Sequence, residues 1–270
     1  MTIRRMPSRL RGPLAVGALV GLTALLVAPP SAPAVHTASV GGDLLPDLRS
    51  FAPYSLKISW ESGRKHLRFT TEIVNEHSGV MQIQPGLTTD CNGDGVSDRY
   101  AFQRIYQDQP PYDGYFVRRH DTAYREANVG CMAYHAEHDH WHFDDFASYE
   151  LFSDAGVRRR ISSKTTFCLR DSRQPYPRLP GSPGFAFFST CSRNSHQGIS
   201  VGWSDVYGSS LPGQSLDVTG LPPGYYCLRS TVDPLNKLAE TENRDGAGEL
   251  RILLVRNIVL AVSRSCGLPR

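Results

Sequence analysis

The sequence predicts an all-β protein: a single β-sandwich-like domain with long loops, stapled by disulfides and placed after a cleaved signal peptide. Three observations carry this expectation. Short runs alternate apolar and polar residues, Gly, Pro, Asn and Asp punctuate them, and six cysteines all lie beyond residue 34. Alternation is the mark of a half-buried strand, and many short strands with turn signals between them indicate a sandwich. An even cysteine count in an exported chain implies disulfides.

Residues 1–34 read as the export signal. Arg4, Arg5, Arg9 and Arg11 form a positive start, Pro13 to Ala28 is a small apolar run, and Ala32-Pro33-Ala34 is an A-x-A cleavage site. The Arg4-Arg5 pair leaves both the general and the twin-arginine export routes open. The apolar run is short and rich in glycine, so cleavage is expected rather than stable membrane insertion. Loss of these four arginines leaves 25 basic side chains against 26 acidic ones, a net charge of −1. The basic balance of the whole chain thus resides in the signal, and charge gives no ground for a nucleic-acid partner.

After a short segment at 35–42, one domain is expected over 43–264. Its strands are predicted in order at Leu67 to Val74, Val80 to Gln84, Phe102 to Tyr106, Gly114 to Arg118 and His142 to Phe152. The series continues at Val157 to Leu169, Ser215 to Val218, Tyr225 to Val232 and Glu249 to Val262. Arg173 to Gly184 and Asn236 to Gly248 read as loops. Pairing sequence neighbours is the simplest cysteine scheme: Cys91 with Cys131, Cys168 with Cys191, Cys227 with Cys266.

Two clusters point to metals. In Asp90 to Asp98 (DCNGDGVSD), Asp90, Asn92, Asp94 and Asp98 offer oxygen ligands, with Gly95 at the sixth position of a calcium-type loop. Ala101 stands where such a loop carries its twelfth-position acid, so a plain Asx/Gly turn is the competing reading. In Tyr134 to Asp145 (YHAEHDHWHFDD), His138, His140 and His142 alternate. On a strand this spacing sets three imidazoles on one face, with Asp139 and Trp141 on the other. A flat strand at ~3.3 Å per residue would hold the outer pair about 13 Å apart, whereas imidazoles bind a metal at about 2.0 Å. The chain must therefore bend there. Copper, zinc, iron and nickel all suit such ligands, and the Irving–Williams order leans towards copper. A solvent-exposed histidine tract is the bland alternative.

Taken together with motifs on either side of it, this cluster resembles lysyl oxidases. The resemblance rests on His138-x-His140-x-His142, Asp144-Asp145-Phe146, Ser148 to Leu151 (SYEL), Lys164 to Asp171 (KTTFCLRD) and Gly198 to Gly208 (GISVGWSDVYG). Leu221 to Tyr226 (LPPGYY), Val232-Asp233-Pro234, Ala239 to Asn243 (AETEN) and Leu44 to Leu48 (LLPDL) extend it over roughly residues 43–264. It implies a catalytic domain that uses copper and lysine tyrosylquinone, a cofactor made by cross-linking a lysine to an oxidised tyrosine of the same chain. The matching positions are Lys164 and Tyr207. Lysine is scarce here, four residues beside 25 arginines, which gives Lys164 a little weight of its own.

The implied reaction oxidises primary amines, peptidyl lysine among them, with dioxygen to an aldehyde, ammonia and hydrogen peroxide. Asp205, two residues before Tyr207, is the candidate base, since i and i+2 share a strand face. His135 is expected to support the ligands rather than join them. Glu137, Asp139, Asp144 and Asp145 are acids near the metal that would favour cationic substrates, although Asp139 is expected to face away from the imidazoles. Animal members carry a cysteine in the histidine cluster where this chain has Ala136-Glu137, and the expected identity is a minimal, secreted, bacterial member. A secreted copper-binding sandwich that never forms the quinone, and a zinc hydrolase with three histidines, are the competing functions.

Overall fold

The computed structural model describes residues 42–162, 166–242 and 246–267. The predicted signal and Lys164 lie outside them. Among the described residues there is no helix long and apolar enough to cross a membrane. The strands, in chain order, are β1 (Asp43–Leu44), β2 (Leu48–Ser50), β3 (Tyr54–Glu61), β4 (Arg64–Asn75), β5 (Met81–Thr89), β6 (Asp98–Gln107), β7 (Tyr124–His135) and β8 (His140–Phe143). They continue with β9 (Ala147–Ser153), β10 (Arg158–Ile161), β11 (Gln197–Ile199), β12 (Ser204–Tyr207), β13 (Ser215–Asp217), β14 (Gly224–Val232), β15 (Ala247–Val255) and β16 (Ile258–Ser263).

The all-β expectation holds, in three sheets. One runs β11-β5-β6-β7-β8 with β1 on β6; a second runs β10-β9-β14-β15-β16; in the third, β4 is flanked by β12 and β13 on one side and by β2 and β3 on the other. The twelve residues of β4 are too long for any one neighbour, so two short strands line each of its edges. One core joins the sheets: Leu67 and Phe69 of β4, Met81 and Ile83 of β5, Phe143 of β8, Tyr149 and Leu151 of β9 and Leu228 of β14 are buried together. Edge-to-face packing of Phe69 on Tyr149, 5.2 Å between centroids, ties β4 to β9.

The three disulfides pair Cys91 with Cys131, Cys168 with Cys191 and Cys227 with Cys266, as neighbour pairing expects. Several predicted strands need correction. The run from His142 is broken at Asp145, whose φ of 57° turns the chain between β8 and β9, and the last run is broken at Arg256, φ 48°. Gly114 to Arg118 forms no strand: the Asp121 carboxylate takes the amides of Gln109 and Val117 and shapes a loop instead.

Candidate active site

The histidines sit at a hairpin rather than along one strand. His140 and His142 belong to β8, but His138 lies in the turn that joins β7 to β8, its amide bonded to the His135 carbonyl at 3.1 Å. Asp139 takes a positive φ of 53° to close that turn. This is the bend that the spacing required, made by reversing the chain. Nitrogens of His138, His140 and His142 all come within 4.8 Å of one another. His135, opposite His140 on β7, stacks on His138 at 4.3 Å and on His142 at 4.8 Å. Trp141 faces the other way, over Arg99 and against Tyr134.

The ring nitrogens of His138, His140 and His142 lie close enough together that they could hold one metal ion. His140 donates from Nδ1 to the His138 carbonyl at 2.9 Å, which makes Nε2 the acceptor nitrogen of the neutral ring. Burial lowers its proton affinity most; the bond to the His138 carbonyl opposes this, and the neighbouring His138 and His135 add to it, so the balance favours the neutral ring. His140 Nε2 lies 2.9 Å from His142 Nε2, a hydrogen bond between two imidazoles that a metal ion held by both rings would replace. Thr166 Oγ1 meets His142 Nδ1 at 3.2 Å and fixes that ring from behind.

Segment 166–173 runs from the histidines to β12. Phe167 bridges to Phe143, with amides and carbonyls exchanged at 2.7 and 3.0 Å, which brings Thr166 to His142. Further along the segment, Arg173 bridges to Ser204 at the head of β12. Gly202, at φ 73°, makes the preceding turn, where an added Cβ would lie 2.4 Å from the Tyr176 carbonyl. β12 then pairs with β4, Asp205 opposite Ile73 and Tyr207 opposite Thr71.

Asp205 and Tyr207 share a face, as i and i+2 should. Asp205 is buried; Ser172 Oγ donates to its Oδ1 at 3.1 Å and the Arg170 amide to its Oδ2 at 3.3 Å. Burial outweighs these bonds and pushes the carboxyl up to about 7. Tyr207 is half-buried, its ring edge-on to Phe167 at 4.7 Å and its hydroxyl donating to the Cys168 carbonyl at 2.6 Å. Burial first, then the Asp205 charge, hold the phenol well above its ordinary pKa.

The four histidines, Thr166, Arg170, Asp205 and Tyr207 line one cavity of about 480 Å³, with the Cys168–Cys191 bridge in its wall. A larger cleft of about 1090 Å³ holds none of the predicted site residues, and its buried Glu72 is already engaged by Arg173, Ser204 and Tyr54. Size therefore does not decide which cavity carries the chemistry. Lys164 falls outside the described residues, two positions before Thr166.

The expected acidic rim is not there. Asp139 is taken by Arg193 and Tyr134, Asp145 pairs with Lys237 at 2.8 Å, and neither these two nor Glu137 and Asp144 line the cavity. Sequence reasoning also missed Thr166, Arg170 and Ser172. All three fall in or beside the KTTFCLRD motif, but their roles come from pairing with distant strands, which spacing does not report. Thr166→Val is expected to lower Cu(II) affinity about 10- to 100-fold, as removal of a ligand's hydrogen-bond partner does. Competition with a chelator of known affinity measures it, and unchanged affinity would mean that Thr166 does not orient the ring.

The Lysyl oxidase family model matches residues 121–262, more than half the chain. Protein-lysine 6-oxidase of Homo sapiens is 33% identical over 112 residues, which are 40% of this chain and 25% of the human protein. Protein-lysine 6-oxidase of Sus scrofa is 32% identical over 112 residues, 40% of this chain and 41% of that protein. Lysyl oxidase homolog 3B of Danio rerio is 30% identical over 115 residues, 42% and 13% of the two chains. The match thus spans well under half of each relative. The family segment contains the histidines, Lys164, Asp205 and Tyr207, whereas the Asp90 to Asp98 loop lies upstream of it.

Proposed function

The chain belongs to the lysyl oxidase family, and on that premise we propose that it is an exported amine oxidase that uses copper and lysine tyrosylquinone to deaminate primary amines, lysine side chains of peptides among them. The observation that carries this reading is the meeting of Tyr207 and Asp205 with the three histidines in one cavity. The relatives named protein-lysine 6-oxidase support the choice of substrate class. Three disulfides support an oxidising, extracellular setting.

His138, His140 and His142 would hold the copper, and Lys164 and Tyr207 would form the quinone. Once in place, this pair supplies the redox chemistry that carries two electrons from the amine to dioxygen, yielding an aldehyde, ammonia and hydrogen peroxide. The protein's own groups do the rest. Asp205, ionised above about pH 7, takes the α-proton of the amine substrate. Ser172 and the Arg170 amide aim that carboxylate, while Phe167 and the Cys168 carbonyl hold the Tyr207 ring. Val206, Leu211 and Pro212 give the cavity an apolar wall that suits the methylene chain of an alkylamine.

The deciding test is covalent. After aerobic loading with copper, peptide mass spectrometry should find the peptides of Lys164 and Tyr207 joined, and a quinone redox stain should mark the protein. Peptides that stay separate in copper-replete protein would sink the reading and leave a copper-binding sandwich.

A further inference from the structure

Several charged groups outside the site are accounted for by their neighbours. In the calcium-type loop, Asp90 accepts the amides of Gly93 and Gly95 at 2.7 and 3.0 Å and Asp94 that of Val96 at 2.7 Å, bonds that make a turn. Arg173 meets Glu72 and Arg193 meets Asp139, each at 2.8 Å. Arg170 differs from both arginines. It is exposed, it lines the cavity of the histidines, and it forms no ion pair among the described residues; its Nε reaches the Ser172 hydroxyl at 3.5 Å.

The fold holds Arg170 against the reacting pair. The Cys168 carbonyl accepts the Tyr207 hydroxyl at 2.6 Å, and the Arg170 amide donates to Asp205 at 3.3 Å, so these two alternate residues touch the tyrosine and the base. Asp171, the next residue, is turned the other way. It is buried and accepts the amides of Phe187, Phe188 and Ser200 and the Ser200 hydroxyl, at 2.9, 3.1, 2.8 and 2.8 Å. With that carboxylate pinned inside, the extended segment sends the Arg170 side chain out on the cavity side.

The cavity lining thus holds one guanidinium, Arg170, and one carboxylate, Asp205. Asp205 is buried beneath Ser172 and the Arg170 amide, and in the proposed reaction it takes the α-proton. Arg170 is left as the charge that a substrate meets beyond its reacting amine, since Asp139 and Asp145 are paired elsewhere. Resting on the amine-oxidase reading, we propose that Arg170 is a specificity-determining residue, which selects primary amines carrying a carboxylate beyond the alkyl chain over diamines and polybasic peptides. For lysine, that carboxylate comes from an acidic neighbour or from the lysine itself. A guanidinium receives a carboxylate through its planar fork of N–H donors and repels a second ammonium. The acidic rim expected from the sequence would have favoured the opposite class.

The experiment compares kcat/KM for hexylamine, ε-aminocaproate and hexamethylenediamine, amines of equal carbon number, by peroxide release from the copper-loaded protein at about pH 8, where the base is ionised. One exposed ion pair predicts a preference of about 3- to 5-fold for ε-aminocaproate over hexylamine and a similar penalty on the diamine. Salt at about 1 M should erase both. Arg170→Gln should level the ratios, Arg170→Lys should keep most of the preference, and Arg170→Glu should invert the order. Each ratio is internal to one protein, so a general loss of activity or of fold does not imitate it. Equal kcat/KM for the three amines in the parent, or ratios unchanged in Arg170→Gln, would overturn the proposal and leave the oxidase reading intact. Peroxide from none of them would sink that reading and the proposal with it. Blocked Asp-Lys-Asp against blocked Ala-Lys-Ala, and Nα-acetyl-lysine against its amide, tell the two sources of the carboxylate apart. A preference in either pair that Arg170→Gln removes supports the proposal, and none in either overturns it for lysine substrates.

Discussion

Tyr207→Phe is expected to abolish amine-dependent hydrogen peroxide release completely and to leave copper binding within about twofold of the parent, since the tyrosine is absent from the histidine set proposed to bind the metal. The loss should exceed the 10²–10⁴-fold typical of deleting an acid–base group, because the variant lacks the hydroxyl needed to make the quinone at all. The ring keeps its edge-on contact with Phe167, and the variant loses the hydroxyl's hydrogen bonding to the Cys168 carbonyl and to Asp205. Each such bond contributes about 1 kcal/mol, so the variant should remain folded. Peroxide detection with a simple alkylamine, run beside copper analysis, makes the measurement. Residual turnover above about one part in a thousand would remove Tyr207 from the cofactor.

Asp205→Asn should lower kcat/KM by about 10²–10⁴-fold without preventing the Lys164–Tyr207 link. The pH dependence arises from burial, which sets the carboxyl at about 7. A base must be ionised, so the parent's kcat/KM should climb with pH through an acid limb near 7, and the variant should lack that limb. Stability should move in the opposite sense. The folded-state pKa lies above the value of 3.8 for an unperturbed aspartate, so the folded protein holds the extra proton. The stabilisation this gives is complete below about pH 4 and fades as pH rises to about 7, a difference on the order of 4 kcal/mol. Asp205→Asn removes the penalty above pH 7, so at pH 8 it should melt at or above the parent. A variant that is inactive and also less stable at pH 8 would mark Asp205 as a structural acceptor for Ser172 and Arg170.

The long alternating runs were legible because one face of each strand is buried: β4, β6, β14 and β15 all appear within a few residues of their predicted places. β7 was not legible. Asn128 and Gly130 interrupt its alternation, and the register slips by a residue opposite Ala101 and Phe102, so a twelve-residue strand shows no continuous alternating run. β3 escaped because most of its residues are exposed or half-buried, leaving little contrast between its two faces. The disulfides obeyed neighbour pairing, and the three histidines were visible because chance seldom places them at alternate positions.

The sequence by itself determined the all-β class, the even set of cysteines, the histidines with their need for a bend, and the shared face of Asp205 and Tyr207. These are local properties, fixed by side-chain alternation and residue type within a few positions. Tertiary structure alone decided that the bend is a hairpin with His138 in its turn. Long-range strand pairing, through the bridges at Phe143–Phe167 and Arg173–Ser204, carried Thr166, Asp205 and Tyr207 to the histidines. Burial then set how tightly Asp205 holds its proton. Both depend on which distant strands meet and what water they exclude, and no spacing along the chain encodes that.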